Sequence, residues 1–333
     1  WAALALSYAW ALQYLQFWYP SRDPVGSDAV FNCAGLLVGL LLTAAVKPAL
    51  HETSNQLDRS DPLWPALLGL LLLWLAYRWF PLVPTLDLGE MKHALKPLLL
   101  HPRWDLPHVL HDIAAWSLWF WLARHGPLRP LKAPWAAVLV ALGVLAGEPL
   151  FVGGSISLSN VLGLGIALLL RHSIVPLATA ARPRQPADLA LVILLASSIT
   201  VSELAPFVFD GKNQFLWLPF AGMLSGSMVL NTASLIEKCY LYGGVLVLLA
   251  RIGMDWRVGA CMLAAGLGAL EGLQTLVPGR TPESTDAVMV VLLAISFRTL
   301  TRSASIQPRA IDQVDGAVPS ACFQSATIAS RSS

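Results

Sequence analysis

Apolar residues run in long blocks along this chain, and polar residues fall in short clusters between them. Blocks near 1–19, 29–46, 63–83, 108–125, 134–152, 158–178, 188–208, 229–250, 257–277 and 286–300 approach the roughly 17–25 apolar residues that a helix needs to cross a bilayer. The pattern predicts an all-α fold, a polytopic transmembrane helix bundle of about ten helices. "HETSNQLDRSD" and "ARPRQPAD" read as loops. "DLGEMKHALKPLLLHPRWDLP" (87–107) is too polar to span, and predicts an amphipathic or re-entrant piece at the interface. Beyond about Arg302 the chain is rich in Ser, Ala and Gln, which predicts a disordered or partner-bound tail over 302–333.

Composition supports the membrane reading. Of 333 residues, 56% are hydrophobic and 13% charged, against about 45–50% and about 25% in ordinary soluble domains. The net charge is +2, with no basic stripe, so membrane lipid is the expected partner and nucleic acid is not. Lys and Arg crowd alternate loops. The richer side is expected to be cytoplasmic, which puts Trp1 and the C-terminus inside and "PSRDPVGSD" outside. The expected location is a bacterial inner membrane, crossed many times. Cys33, Cys239, Cys261 and Cys322 form no CxxC, so neither a disulfide framework nor a zinc site is expected. Cys33 and Cys261 read as small buried side chains. The tryptophans, among them Trp116, Trp119 and Trp121, read as lipid- or partner-facing anchors. The chain opens at Trp1 inside an apolar run, and further sequence is expected before it.

Polar residues interrupt the apolar blocks in a recurring pattern. "QYLQFWYPSRDPVGSDAVFNCAG" begins at Gln13, and "EGLQTLVPGRTPESTDAVM" begins at Glu271. With Gln13 set on Glu271, Gln16 falls on Gln274, Pro20 on Pro278, Arg22 on Arg280 and Asp28 on Asp286. "GEPLFVGGSISLSNVLGLG" is a fainter copy, with Glu148 in the acidic slot and Asn160 and Gly163 spaced like Asn32 and Gly35. "LARHG" precedes Glu148 much as "LARIG" precedes Glu271. The chain therefore divides into a partial first unit (1–50), a second (60–180) and a third (188–301), the last two of about four helices each.

These residues resemble the signature of VanZ-like membrane proteins, "ExxQxxxPxR…D" followed by "DxxxNxxGxxxG". Asp28, Asn32, Gly35 and Gly39 match its second half in the first copy. Glu271, Gln274, Arg280 and Asp286 match its first half in the third. The first copy has Gln13 in place of Glu, the middle copy lacks the Arg, and the third has Val290 and Leu293 in place of Asn and Gly. The resemblance implies a place in the cell envelope, and a link with glycopeptide resistance, more than it implies a reaction.

Glu271 and Gln274 share a helix face. With Arg280 nine residues on, a continuous helix would set Glu271 about 13 Å deeper, near mid-membrane. Glu148 stands in the same slot. Such carboxyls form either a head-group, proton or substrate site, or a set of interhelical hydrogen bonds. Arg22 with Asp28, and Arg280 with Asp286, are expected to be loop-closing ion pairs; the alternative is an arginine clamp on phosphate. His108 and His111 form the weak metal or haem candidate, beside Asp112, although HxxH lacks the step and glutamate of HExxH. No nucleotide loop or nucleophile elbow is present, so no cofactor and no catalytic residue is assigned. Three functions follow. The first is a non-catalytic accessory or structural subunit of a larger membrane or envelope assembly, bound to other membrane proteins. The second is a transporter or binder of lipid head groups or lipid-linked glycans, using Glu148 and Glu271. The third is an enzyme on a lipid-linked sugar at the outer face. Degenerate copies favour the first.

Overall fold

The computed structural model describes residues 62–85, 87–100, 102, 104–126, 134–177, 185–222 and 227–315. Gln13, Gln16, Arg22, Asp28, Asn32, Gly35, Gly39, Cys33, Cys322 and the whole proposed first unit lie outside them. Among the described residues the fold is all-helical, with nine helices: α1 Trp64–Trp79, α2 Leu88–Leu99, α3 Leu106–His125, α4 Pro134–Gly147, α5 Leu158–Leu177, α6 Gln185–Leu204, α7 Met228–Arg251, α8 Trp256–Gln274 and α9 Thr285–Asp315. A 3₁₀ turn, Glu148–Leu150, follows α4. The start signals are local. Prolines in the first turn open α1 and α3, where a missing N–H costs nothing. The Asp87 and Asp255 carboxylates accept the Gly89 and Arg257 N–H at 2.7 and 2.8 Å, capping α2 and α8. α9 runs to Asp315, so the first part of the expected tail is helical.

Two helices, Pro186–Leu204 and Val229–Arg251, are long and apolar enough to cross a membrane. At one end of the bundle, here the upper end, α1, α4, α6 and α8 finish while α3, α5, α7 and α9 begin. The core below it is apolar and dominated by tryptophan. Trp74 stacks on Trp119 at 4.1 Å and meets Trp116 edge-on at 5.3 Å, and all three are about 1% exposed. Trp121 is buried too. These indoles are core residues and not the anchors expected of them. Indole pairs contribute about 0.5–1.5 kcal/mol beyond their buried area, so three of them on two facing helices tie α1 to α3. Cys261, expected to be buried, is exposed on α8.

Contacts recur in a reciprocal way. α1 packs on α7, and α6 packs on α3; α1 touches α9, and α6 touches α5. Residues about 126 positions apart occupy corresponding places. Trp116 donates to Asn160 at 2.9 Å, and Tyr242 donates to Asp286 at 2.7 Å, each across 44 positions. The Thr85 N–H donates to the Leu150 carbonyl and the Gly211 N–H to that of Leu276, both at 2.7 Å. Gly153 and Gly279 both take φ +76°, a left-handed turn that glycine enters without a Cβ clash. α3 and α7 meet where corresponding positions face each other. A Cβ on Gly244 would overlap the Leu118 side chain, and the Tyr240 hydroxyl donates to the Ala115 carbonyl at 3.0 Å.

Candidate functional site

The charged side chains of the upper end form one continuous layer. On α1, Arg78 forms an ion pair with Glu148 and lies 4.0 Å from Asp112 on α3. Its guanidinium also covers the Trp116 ring at 4.9 Å. All three charged groups have side chains no more than 13% exposed. One residue along α3, His111 lies 2.5 Å from Glu237 on α7. One residue along α7, Lys238 binds Asp286 at 2.8 Å and Glu203 at 3.1 Å. Gln274 donates to Glu203 at 2.6 Å. Six helices and the 3₁₀ turn are thus joined by groups that no apolar surface can solvate, and each is held by opposite charge or by hydrogen bonds.

The two halves of this layer correspond with inverted charge. Arg78 sits near the end of α1 and faces Asp112 and Glu148. Glu203, near the end of α6, faces Lys238 and Gln274. The cation is on the first helix of one half and on the second helix of the other. The counterpart of Glu148 is accordingly Gln274, at a shift of 126, and not Glu271, as the motif spacing suggested. The same shift sets Asn160 opposite Asp286.

Glu271 is not joined to Arg280 by a continuous helix. α8 ends at Gln274, and the chain turns back through Gly279, so that the Glu283 N–H donates to the Glu271 Oε2 at 2.9 Å. The expected depth assumed a helix continuing to Arg280, whereas the turn returns the loop to the level of Glu271. Arg280 does not pair with Asp286. It donates to the Ser202 and Ala205 carbonyls at 2.5 and 3.0 Å, which α6 leaves without intrahelical donors as it ends. Asp286 is taken by Lys238 and Tyr242. Arg280 is therefore a helix C-cap supplied from another segment.

His108 is exposed and lies 2.8 Å from Asp105, while His111 points inward to Glu237. The two histidines do not converge, and among the described residues no group of three or more His, Cys, Asp or Glu is disposed to hold a metal ion. Five residues of the layer were not singled out from the sequence: Tyr77, Arg78, Glu203, Glu237 and Lys238. Arg78, Glu203, Glu237 and Lys238 were legible as charges inside apolar blocks. Tyr77, which faces Glu237, carried no such signal.

At the lower end a smaller layer closes the bundle. Asp188 in the first turn of α6 accepts from Trp121 at 2.7 Å and lies 3.5 Å from Arg251 at the end of α7. Arg251 covers the Trp121 ring at 5.3 Å. Between the two layers lie Leu70, Trp74, Leu118, Trp119, Leu195 and Leu246, each at most 1% exposed. The upper layer is thereby cut off from the lower end.

No known family, curated protein or solved structure matches the chain.

Proposed function

We propose that this chain is a multi-pass membrane protein of the VanZ-like kind, ten helices in all, in a bacterial inner membrane with Trp1 and Ser333 on the cytoplasmic side. In this reading it is a non-catalytic subunit of a larger membrane or envelope assembly. One observation carries the membrane part. Large apolar side chains stand exposed on five helices: Leu139 and Leu142 of α4, Ile166 and Leu169 of α5, Leu189 and Ile193 of α6, Met262 of α8, and Leu292 and Ile295 of α9. They occupy the height between the two charged layers. Water-soluble monomers rarely expose contiguous apolar patches above a few hundred Å², whereas a bilayer covers such a belt. The subunit part is supported by the use made of the motif. Glu148, Gln274, Asp286, Arg280 and Glu271 each hold one segment of the chain to another.

Carbonate washing of membranes and cysteine labelling of Thr281→Cys in intact spheroplasts test this reading. The protein should stay in the pellet, and Thr281→Cys should react with an impermeant maleimide while a tail site does not. Release into the supernatant would end the membrane reading; the reverse labelling pattern would invert the topology.

A second reading, binding of a lipid head group from the outer side, is favoured by a different observation. The Glu237 and Lys238 side chains each remain 28% accessible, and lipid tails do not solvate charges, so the accessible part faces water. Thermal stability in detergent with glycerol phosphate or ethanolamine separates the two. A saturable rise lost in Lys238→Gln supports binding, and none in any head-group analogue leaves the structural role.

A further inference from the structure

Two upper segments present apolar side chains that the bundle does not cover. The first is α2. Its bundle-facing sector is Met91, Ala94, Leu95 and Leu98, with Ala94 buried. The adjoining sector holds Leu88 and Leu99, exposed by 68% and 69%. Lys92 and Lys96 border it, one helical step further round, and Glu90 lies on the far side. An apolar edge flanked by lysines is how a helix lies in a head-group layer, with leucines in the acyl boundary and ammonium groups reaching up to phosphate.

The second segment, Phe207–Leu218, corresponds to the chain just before and along α2 under the shift of about 126. It exposes Phe209, Trp217 and Leu218, the last two by 82% and 70%. This exposure is built into the backbone. The Gly211 and Asn213 N–H groups donate to the Leu276 and Thr275 carbonyls at 2.7 and 2.9 Å, and that of Leu216 to Pro282 at 2.9 Å. A Cβ on Gly211 would come within 2.8 Å of the Pro278 nitrogen, so the segment is seated close against its neighbour while its aromatic edge points away. α2 is pinned likewise, by the Ile156 N–H on the Ala94 carbonyl at 3.0 Å.

We propose that α2 and Phe207–Leu218 are a pair of lipid-contacting feet on the upper face, which seat Leu88, Leu99, Trp217 and Leu218 among lipids of the outer leaflet and place Lys92 and Lys96 on lipid phosphates. Corresponding positions put both feet at the same end, next to the apolar belt, and tryptophan and lysine are the residues that favour this boundary. The proposal rests on the membrane reading above, and its test keeps the two apart.

The full chain carries the photoreactive residue p-benzoylphenylalanine singly in place of Leu99, Leu218 or Ile193. It is reconstituted in vesicles of phosphatidylcholine and phosphatidylglycerol in equal parts, and lipid adducts are read by mass spectrometry. Lipid adducts at all three positions are expected. Adducts at Ile193 without any at Leu99 and Leu218 overturn the feet and leave the membrane reading standing. Absence at Ile193 as well removes both. In Lys92→Gln and Lys96→Gln backgrounds, the ratio of phosphatidylglycerol to phosphatidylcholine adducts at Leu99 should fall, by roughly fivefold for each lysine. An unchanged ratio overturns the phosphate contact.

Discussion

His111 and Glu237 stand 126 positions apart in the chain and 2.5 Å apart in the bundle. Each is the counterpart of the other under the shift that relates α3 to α7, so the pair lies where the two halves face. Both side chains are under a third exposed. A double-mutant cycle with His111→Ala and Glu237→Ala should give a coupling of about 1–3 kcal/mol in detergent unfolding. Additive single effects would show that the contact holds nothing.

Arg78 and Lys238 should respond differently to loss of a partner. Arg78→Met leaves Glu148 and Asp112 without their cation, and breaking such a buried pair costs about 3–5 kcal/mol. The double variant Arg78→Met/Glu148→Met should recover the part due to Glu148, while Asp112 stays without its cation. Glu203→Gln should cost less, because Lys238 keeps Asp286. Equal losses at the two sites, in thermal unfolding, would contradict the inverted-charge arrangement.

Two glycines of α5 make a matched test of helix approach. A Cβ on Gly163 would overlap that of Asp112 and reach the Ile113 nitrogen at 3.0 Å, while one on Gly165 meets nothing within 4 Å. Gly163→Ala should destabilise by about 1–3 kcal/mol. Gly165→Ala should be neutral or stabilise by up to about 1 kcal/mol. A Gly163→Ala variant as stable as the parent would mean that α3 and α5 are free to part.

The Arg280/Asp286 charge swap should fail to rescue. Arg280 needs carbonyls and Asp286 needs Lys238 and Tyr242, so exchanging them damages two unrelated contacts. The double variant should be at least as unstable as the worse single variant. Rescue would restore the direct ion pair that the geometry does not contain.

Glu271→Gln should leave stability within about 0.5 kcal/mol, since a carboxamide oxygen accepts the Glu283 N–H as well as a carboxylate does. Glu271→Leu removes the acceptor and should cost about 1–2 kcal/mol. A Gln variant that is fully stable yet lacks the cellular phenotype would make Glu271 a functional group and not a tie.

Much of the helical layout was legible because apolar blocks are long and their ends carry local signals: Pro65 and Pro107 in first turns, Asp87 and Asp255 as caps. The polar motif was legible as a set of residues out of place in apolar sequence. Its partners were not. Arg280 and Asp286 are six apart in the chain, so a local pair was the simplest expectation. The partners of both come from α6 and α7, at separations of 44 to 78 positions.

The sequence by itself determined where many of the helices run and that polar residues interrupt them in a recurring pattern, because propensity, capping and hydropathy act over a few residues. Only the tertiary structure decided which charge meets which. Trp116 and Trp119 read as interface anchors in one dimension, and became core once α1 placed Trp74 against them. Glu148 matched Glu271 by motif spacing, but Gln274 by the end of a helix. Contacts across helices depend on how the helices cross, and that crossing is set by side chains such as Gly163, Gly244 and Leu118, which are far apart in the chain and alike in hydropathy to many others.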